Sequence, residues 1–111
     1  MSLVSSTSAS IHYLAIFLPV EKDDYFIYFP DFPDIVQGIA SLGELMTIAQ
    51  AALSSTIKYY ANTGRKLPVP STLREVRELA RCEMLDENID TTRPPLFMLF
   101  GVPVGGATLG R

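Results

Sequence analysis

Apolar residues run without interruption through one early segment of the chain and take other spacings in the segments that follow. Residues 11–18 are apolar on both alternating faces, which predicts a central strand covered on both sides. A polar turn at 21–24 and an aromatic run at 25–29 predict a second strand, antiparallel to the first. The segment 35–40 is short and contains β-branched residues, which predicts a third strand beside the second. The three strands form an antiparallel meander.

A long helix is expected after the meander. Ser41 and Glu44 have the spacing of a capping box, in which the serine hydroxyl accepts from the glutamate amide and the carboxylate accepts from the serine amide. Gly64 is the expected residue after the helix, which gives about 21 residues and roughly 30 Å. Apolar residues at steps of three and four predict its buried stripe: Leu45, Met46, Ala49, Ala52, Leu53, Ile57, Tyr60 and Ala61.

A shorter helix and a last strand complete the pattern. Ser71 is the expected cap of the second helix, and Arg74 and Glu78 stand four residues apart, so that they can pair. A loop over 83–92 and a strand over 96–100 follow. The order is β-β-β-α-α-β, an α+β fold of two layers: a three-stranded antiparallel meander plus a fourth strand, with the long helix packed on the sheet. The apolar face of the second helix consists of Leu73, Val76, Leu79 and Ala80.

The composition predicts one ordered domain. The chain has 111 residues, of which 48% are hydrophobic and 19% charged, and this balance argues against disorder. We expect a disordered leader over 1–10, the domain over 11–103 and a flexible tail over 104–111. Neither a signal peptide nor a membrane-spanning stretch is recognisable. A single cysteine, Cys82, excludes an internal disulfide and indicates a cytoplasmic protein.

Charge and residue chemistry argue against catalysis and against nucleic-acid binding. The net charge is −3 and the pI is about 5.0, which fits a basic partner better than a polyanion. A nuclease of ribonuclease-H-like fold needs several carboxylates for two metal ions, one of them in the first strand, and 11–18 contains none. We interpret His12 as a packed or surface residue of the first strand and Cys82 as a small apolar packing residue. We therefore predict no catalytic residue, no metal and no cofactor.

Two proline motifs carry a resemblance to a known family. Phe29-Pro30-Asp31-Phe32-Pro33 ends the second strand, and Pro68-Val69-Pro70-Ser71 follows the long helix. Their order resembles the N-terminal domain of HicB-type antitoxins, in which a strand runs into an "FPDLPG" turn, a third strand, a long helix and a "PxPS" exit. The likeness spans roughly residues 11–76, and Asp34 stands where the family usually has glycine. The resemblance implies a partial ribonuclease-H-like fold.

The resemblance also implies a function. It predicts a non-catalytic antitoxin that binds and neutralises a small basic RNA-cleaving toxin of the HicA type. The alternatives are a diverged metal-dependent nuclease of ribonuclease-H-like fold and an orphan oligomeric binding or scaffold domain. Rigid exposed loops beside strand ends are common contact sites, so we expect the partner at Asp31, Phe32 and Asp34. The alternative there is that the prolines only shape the turn.

Self-association and DNA binding are the remaining expectations. The apolar faces of the first strand and an open edge at the last strand predict a homo-oligomer, a dimer or a tetramer. The family's C-terminal DNA-binding segment is not expected here, because few residues follow Phe100. Direct DNA binding by this chain alone is therefore not expected.

Overall fold

The described residues form a four-stranded antiparallel sheet with one helix on each face. The computed structural model describes residues 10–35, 38–83, 89–104 and 109. The sheet order is β3-β2-β1-β4, which confirms the α+β fold and the central position of the first strand. The elements are β1 (Ser10–Pro19), β2 (Asp24–Tyr28), β3 (Ile39–Ser41), α1 (Leu42–Thr63), α2 (Leu73–Glu83) and β4 (Leu96–Pro103).

Several expectations concern residues outside the described ranges. These are residues 1–9 of the leader, residues 84–88 at the start of the loop after α2, and residues 105–108, 110 and 111 of the tail. The third strand is shorter than predicted, since β3 has three residues and 36–37 also lie outside. The last strand is longer than predicted and reaches Pro103. In the described part of the chain, no helix combines the length and the apolar character needed to cross a membrane.

The face of the sheet under α1 carries the larger core. Tyr13 and Phe17 of β1 point into it and are fully buried. From α1, the buried residues are Leu45, Ala49, Leu53 and Ile57. Met46 is 40% exposed, so its assignment to the buried stripe was wrong.

Both ends of α1 have the caps that the sequence predicts. At the start, the Glu44 carboxylate accepts hydrogen bonds from the Ser41 amide at 3.3 Å and from the Ser41 hydroxyl at 2.8 Å. The Ser41 hydroxyl oxygen in turn accepts a hydrogen bond from the Glu44 amide. Gly64 follows the helix with φ of 71°, a left-handed conformation that disfavours residues with a Cβ. The predicted helix bounds are confirmed to within a few residues.

The second helix lies on the opposite face of the sheet. Ile16 and Leu18 of β1 pack there against Val76 and Ala80 of α2. The sheet is therefore covered on both faces, and the prediction of two layers was wrong. The reason is visible in β1, whose two alternating faces are both apolar and each need a cover.

The start of α2 and its ion pair also differ from the predictions. Thr72, not Ser71, forms the cap: its amide and hydroxyl donate to the Glu75 carboxylate at 2.8 and 3.1 Å. These hydrogen bonds lower the pKa of Glu75. Glu78 pairs with Arg81 at 3.3 Å rather than with Arg74.

Hydrogen bonds join the connection between α2 and β4 to the first hairpin. The Asp90 amide donates to the Pro19 carbonyl at 2.8 Å. The Arg93 guanidinium donates to the Val20 carbonyl, pairs with the Asp90 carboxylate at 3.0 Å and lies 5.3 Å from the centre of the Tyr25 ring. These contacts direct the chain into β4 beside β1.

Candidate partner-binding site

The turn after β2 consists of two consecutive β-turns. The Phe32 amide donates to the Phe29 carbonyl at 3.1 Å, and the Ile35 amide donates to the Phe32 carbonyl at 3.0 Å. Pro30 and Pro33 are the second residues of these turns, the position at which the fixed φ of proline favours a turn. The two prolines therefore account for the shape of the segment.

Asp31 joins this turn to the segment that precedes α2. Its carboxylate accepts hydrogen bonds from the Ser71 hydroxyl at 2.6 Å and from the Ser71 amide at 3.0 Å. Both residues are half-buried. Asp31 thus fixes two segments that lie 40 residues apart, and both of its carboxylate oxygens are engaged inside the chain.

Phe32 belongs to the core. It is 3% exposed, and its ring meets the Tyr13 ring edge-on at 4.6 Å and the Tyr60 ring at 5.7 Å. The Tyr13 hydroxyl donates to the Pro68 carbonyl at 2.7 Å. Burial, followed by the negative charge of Asp31, raises the pKa of Tyr13 well above its usual range, so the hydroxyl remains a donor. A partner reaches Phe32 only if the turn opens.

Asp34 is the exposed member of the three predicted contact residues. With Pro33, it lies at the rim of a groove of about 320 Å³ between the turn and the last turns of α1. Tyr59, which is 53% exposed, lines the helix side. The Arg65 guanidinium lies 5.8 Å from the Tyr59 ring centre and 5.0 Å from that of Tyr60, within the range of a cation–π interaction.

The sequence reasoning missed Tyr59 and Arg65. Tyr59 precedes Tyr60 and lies outside the predicted buried stripe of α1. An aromatic residue at an exposed helix position was therefore the signal that could have identified it. Arg65 directly follows the left-handed Gly64, which turns the chain back towards the end of the helix. The groove therefore combines an aromatic surface with a cation and a carboxylate. These groups suit a loop or peptide that carries both apolar and charged side chains.

His12 and Cys82 do not line this groove. His12 is exposed on β1. Cys82 is exposed on α2, which corrects its interpretation as a packing residue. Within the described ranges, no three His, Cys, Asp or Glu side chains are grouped so that they could hold a metal ion.

Comparison with known proteins gave no match: no protein-family profile, no curated protein and no solved structure is significantly similar to this chain.

Proposed function

We propose that this chain is a non-catalytic, antitoxin-like protein of the cytoplasm, which binds and neutralises a small basic RNA-cleaving toxin of the HicA type. It does so as a homo-oligomer and without binding DNA itself. The proposal starts from the resemblance of the two proline motifs to HicB-type antitoxins. It requires an accessible surface for a basic protein.

The link between Asp31 and Ser71 is the observation that carries the proposal. Each residue belongs to one of the two motifs that resemble the family, and the motifs are far apart in sequence. Two hydrogen bonds of 2.6 and 3.0 Å join them. The motifs are thus parts of one structural unit at one end of the sheet, which supports reading them together rather than as separate coincidences of proline-rich turns.

The groove beside this unit supplies a suitable surface. Asp34 is exposed at its rim, and the net charge of −3 favours a basic partner. Tyr59 provides an exposed aromatic ring, and tyrosine is one of the residue types enriched among the residues that contribute most to binding energy at protein interfaces. We expect the toxin to place an apolar side chain against Tyr59 and a basic group near Asp34.

A binding experiment with matched variants tests this proposal. The probe is a small basic protein of the HicA type, which the proposal expects to be encoded beside this chain, purified with its catalytic residue replaced. We expect Tyr59→Ala to weaken binding about thirtyfold, the equivalent of roughly 2 kcal/mol, and Asp34→Lys to weaken it about tenfold. Isothermal titration calorimetry measures both changes.

Two control variants lie outside the groove. Ile48→Ala removes a side chain that is 52% exposed on the same helix, and Asp23→Lys reverses an exposed charge in the first hairpin. Both should leave the affinity unchanged within about twofold. Equal losses for controls and groove variants would remove the groove from the interface. Absence of any toxin-like neighbour, with no protein co-purifying, would contradict the function itself.

A further inference from the structure

In the part of the chain that the structure describes, the outer edge of β4 lacks two usual protections of an edge strand, short length and charge. In the described ranges, β1 pairs with one side of β4 and no strand pairs with the other. Proteins commonly keep edge strands short or place charges on them. The opposite edge, β3, has three residues, whereas β4 has eight, and the sequence contains no charged residue from Pro94 to Gly110.

The free backbone groups on this edge belong to alternate residues. The Gly101 carbonyl accepts from the Gln50 side chain at 3.1 Å. Just after β1, the Val20 amide donates to the Asp24 carbonyl at 3.0 Å, so the even-numbered residues of β1 turn their backbone groups towards β2. His12 is one of them, and its pair with Gly101 therefore shares no backbone hydrogen bonds. Because bonded and non-bonded pairs alternate, Leu99 and Phe97 also turn their N–H and C=O groups away from β1.

Two prolines limit the segment that can pair. Pro95 and Pro103 have the same spacing as the outward-facing residues, and neither has an N–H group. A proline is tolerated in a sheet where its nitrogen faces away from the ladder, which agrees with the orientation deduced above. The outward N–H groups between the prolines are those of Phe97, Leu99 and Gly101, and Leu99 is at their centre.

We infer that a second copy of this chain pairs antiparallel with β4 about a two-fold axis at Leu99, so that one sheet runs through both chains. Leu99, which is 57% exposed, then lies opposite Leu99 of the second copy. Phe97 lies opposite Gly101 of the second copy, beside the His12 imidazole that covers this glycine.

The symmetry of the segment favours a second copy over another partner. A two-fold interface brings each residue close to its own equivalents, so any charge near the axis would meet the same charge. The absence of charged residues from Pro94 to Gly110 avoids this repulsion. In the paired sheet, a backbone N–H group of the second copy replaces the Gln50 side chain as the donor to the Gly101 carbonyl.

Disulfide formation tests the register. In a Cys82→Ser background, which removes the exposed native thiol, Leu99→Cys should form a disulfide-linked dimer on oxidation. Opposed residues in a hydrogen-bonded antiparallel pair have Cα atoms about 5.5 Å apart, which suits a disulfide. Phe97→Cys is the matched control on the same strand and face, because its equivalents are separated by roughly 13 Å along the strands. Equal cross-linking of both variants would overturn the register.

Light scattering tests the association itself and does not depend on a toxin. The wild-type chain should have the mass of a dimer at micromolar concentration. Leu99→Lys should give a monomer with an unchanged circular dichroism spectrum, while Ile39→Lys, at the opposite edge, should remain dimeric. A monomeric wild-type chain, including one whose edge pairs only with an added toxin, would overturn the inference.

Discussion

Gly64 shows how a single residue determines where α1 ends. Its φ of 71° is strained for any residue with a Cβ, and nothing lies within 4 Å of the place that a Cβ would occupy. Gly64→Ala should therefore lower the free energy of unfolding by about 1 kcal/mol through the backbone alone, a fall of roughly 4 °C in Tm. Thermal denaturation at one protein concentration measures it.

The matched control is Gly43→Ala, in the first turn of α1. Its surroundings are also open, and its φ is not positive. Alanine there should stabilise the chain by roughly 0.5 kcal/mol, because alanine favours the helix more than glycine. Equal effects of the two substitutions would contradict the role of the left-handed cap.

The cap of α2 could have been predicted from neighbouring residues. Thr72 and Glu75 have the same capping-box spacing as Ser41 and Glu44, whereas the residue three positions after Ser71 is Arg74. The structure contains this box, with the Glu75 amide donating to the Thr72 hydroxyl oxygen at 3.2 Å. The contact of Ser71 with Asp31, across 40 residues, is the part that has no signature in the local sequence.

The buried stripe of α1 gives the prediction for that helix. Leu45 is 1% exposed and its neighbour Met46 is 40% exposed. Leu45→Ala should lower the free energy of unfolding by about 2–5 kcal/mol, since it leaves a cavity in the core. Met46→Ala should change it by less than about 0.5 kcal/mol. Urea denaturation of both variants measures the difference, and comparable losses would contradict this orientation of α1.

The elements could be predicted from the sequence far better than their layers. The periodicity of α1, its capping box and the breaks at Gly64 and the prolines specify where elements begin and end. They do not specify on which face of the sheet a helix packs. The two apolar faces of β1 indicated that both need cover, and α2 supplies part of the second cover through Val76 and Ala80.

At the level of the whole chain, the sequence indicated the turn beside the groove but not all of the residues that line the groove. The proline motif led to the turn, yet Phe32 is in the core and Asp31 is bonded to Ser71. The exposed residues that line the groove together with Asp34 are Tyr59 and Arg65, at the C-terminal end of α1. Such a set arises only when the turn and the helix end meet in the fold.

The two proposed surfaces are separate. No residue of β4 lines the groove, so pairing through β4 leaves the groove of each copy accessible. A dimer would then carry two grooves and bind two toxin molecules. Self-association and neutralisation can therefore fail independently, and the variants Leu99→Lys and Tyr59→Ala distinguish them.

The most direct test of the central claim is an RNA-cleavage assay in which the purified chain is titrated against a small basic RNA-cleaving protein of the HicA type. The account predicts that cleavage falls to background at one chain per toxin. It also predicts that the chain alone, with Mg²⁺, leaves both RNA and an RNA–DNA hybrid intact. Undiminished cleavage at excess chain, or metal-dependent cleavage by the chain itself, would contradict the account.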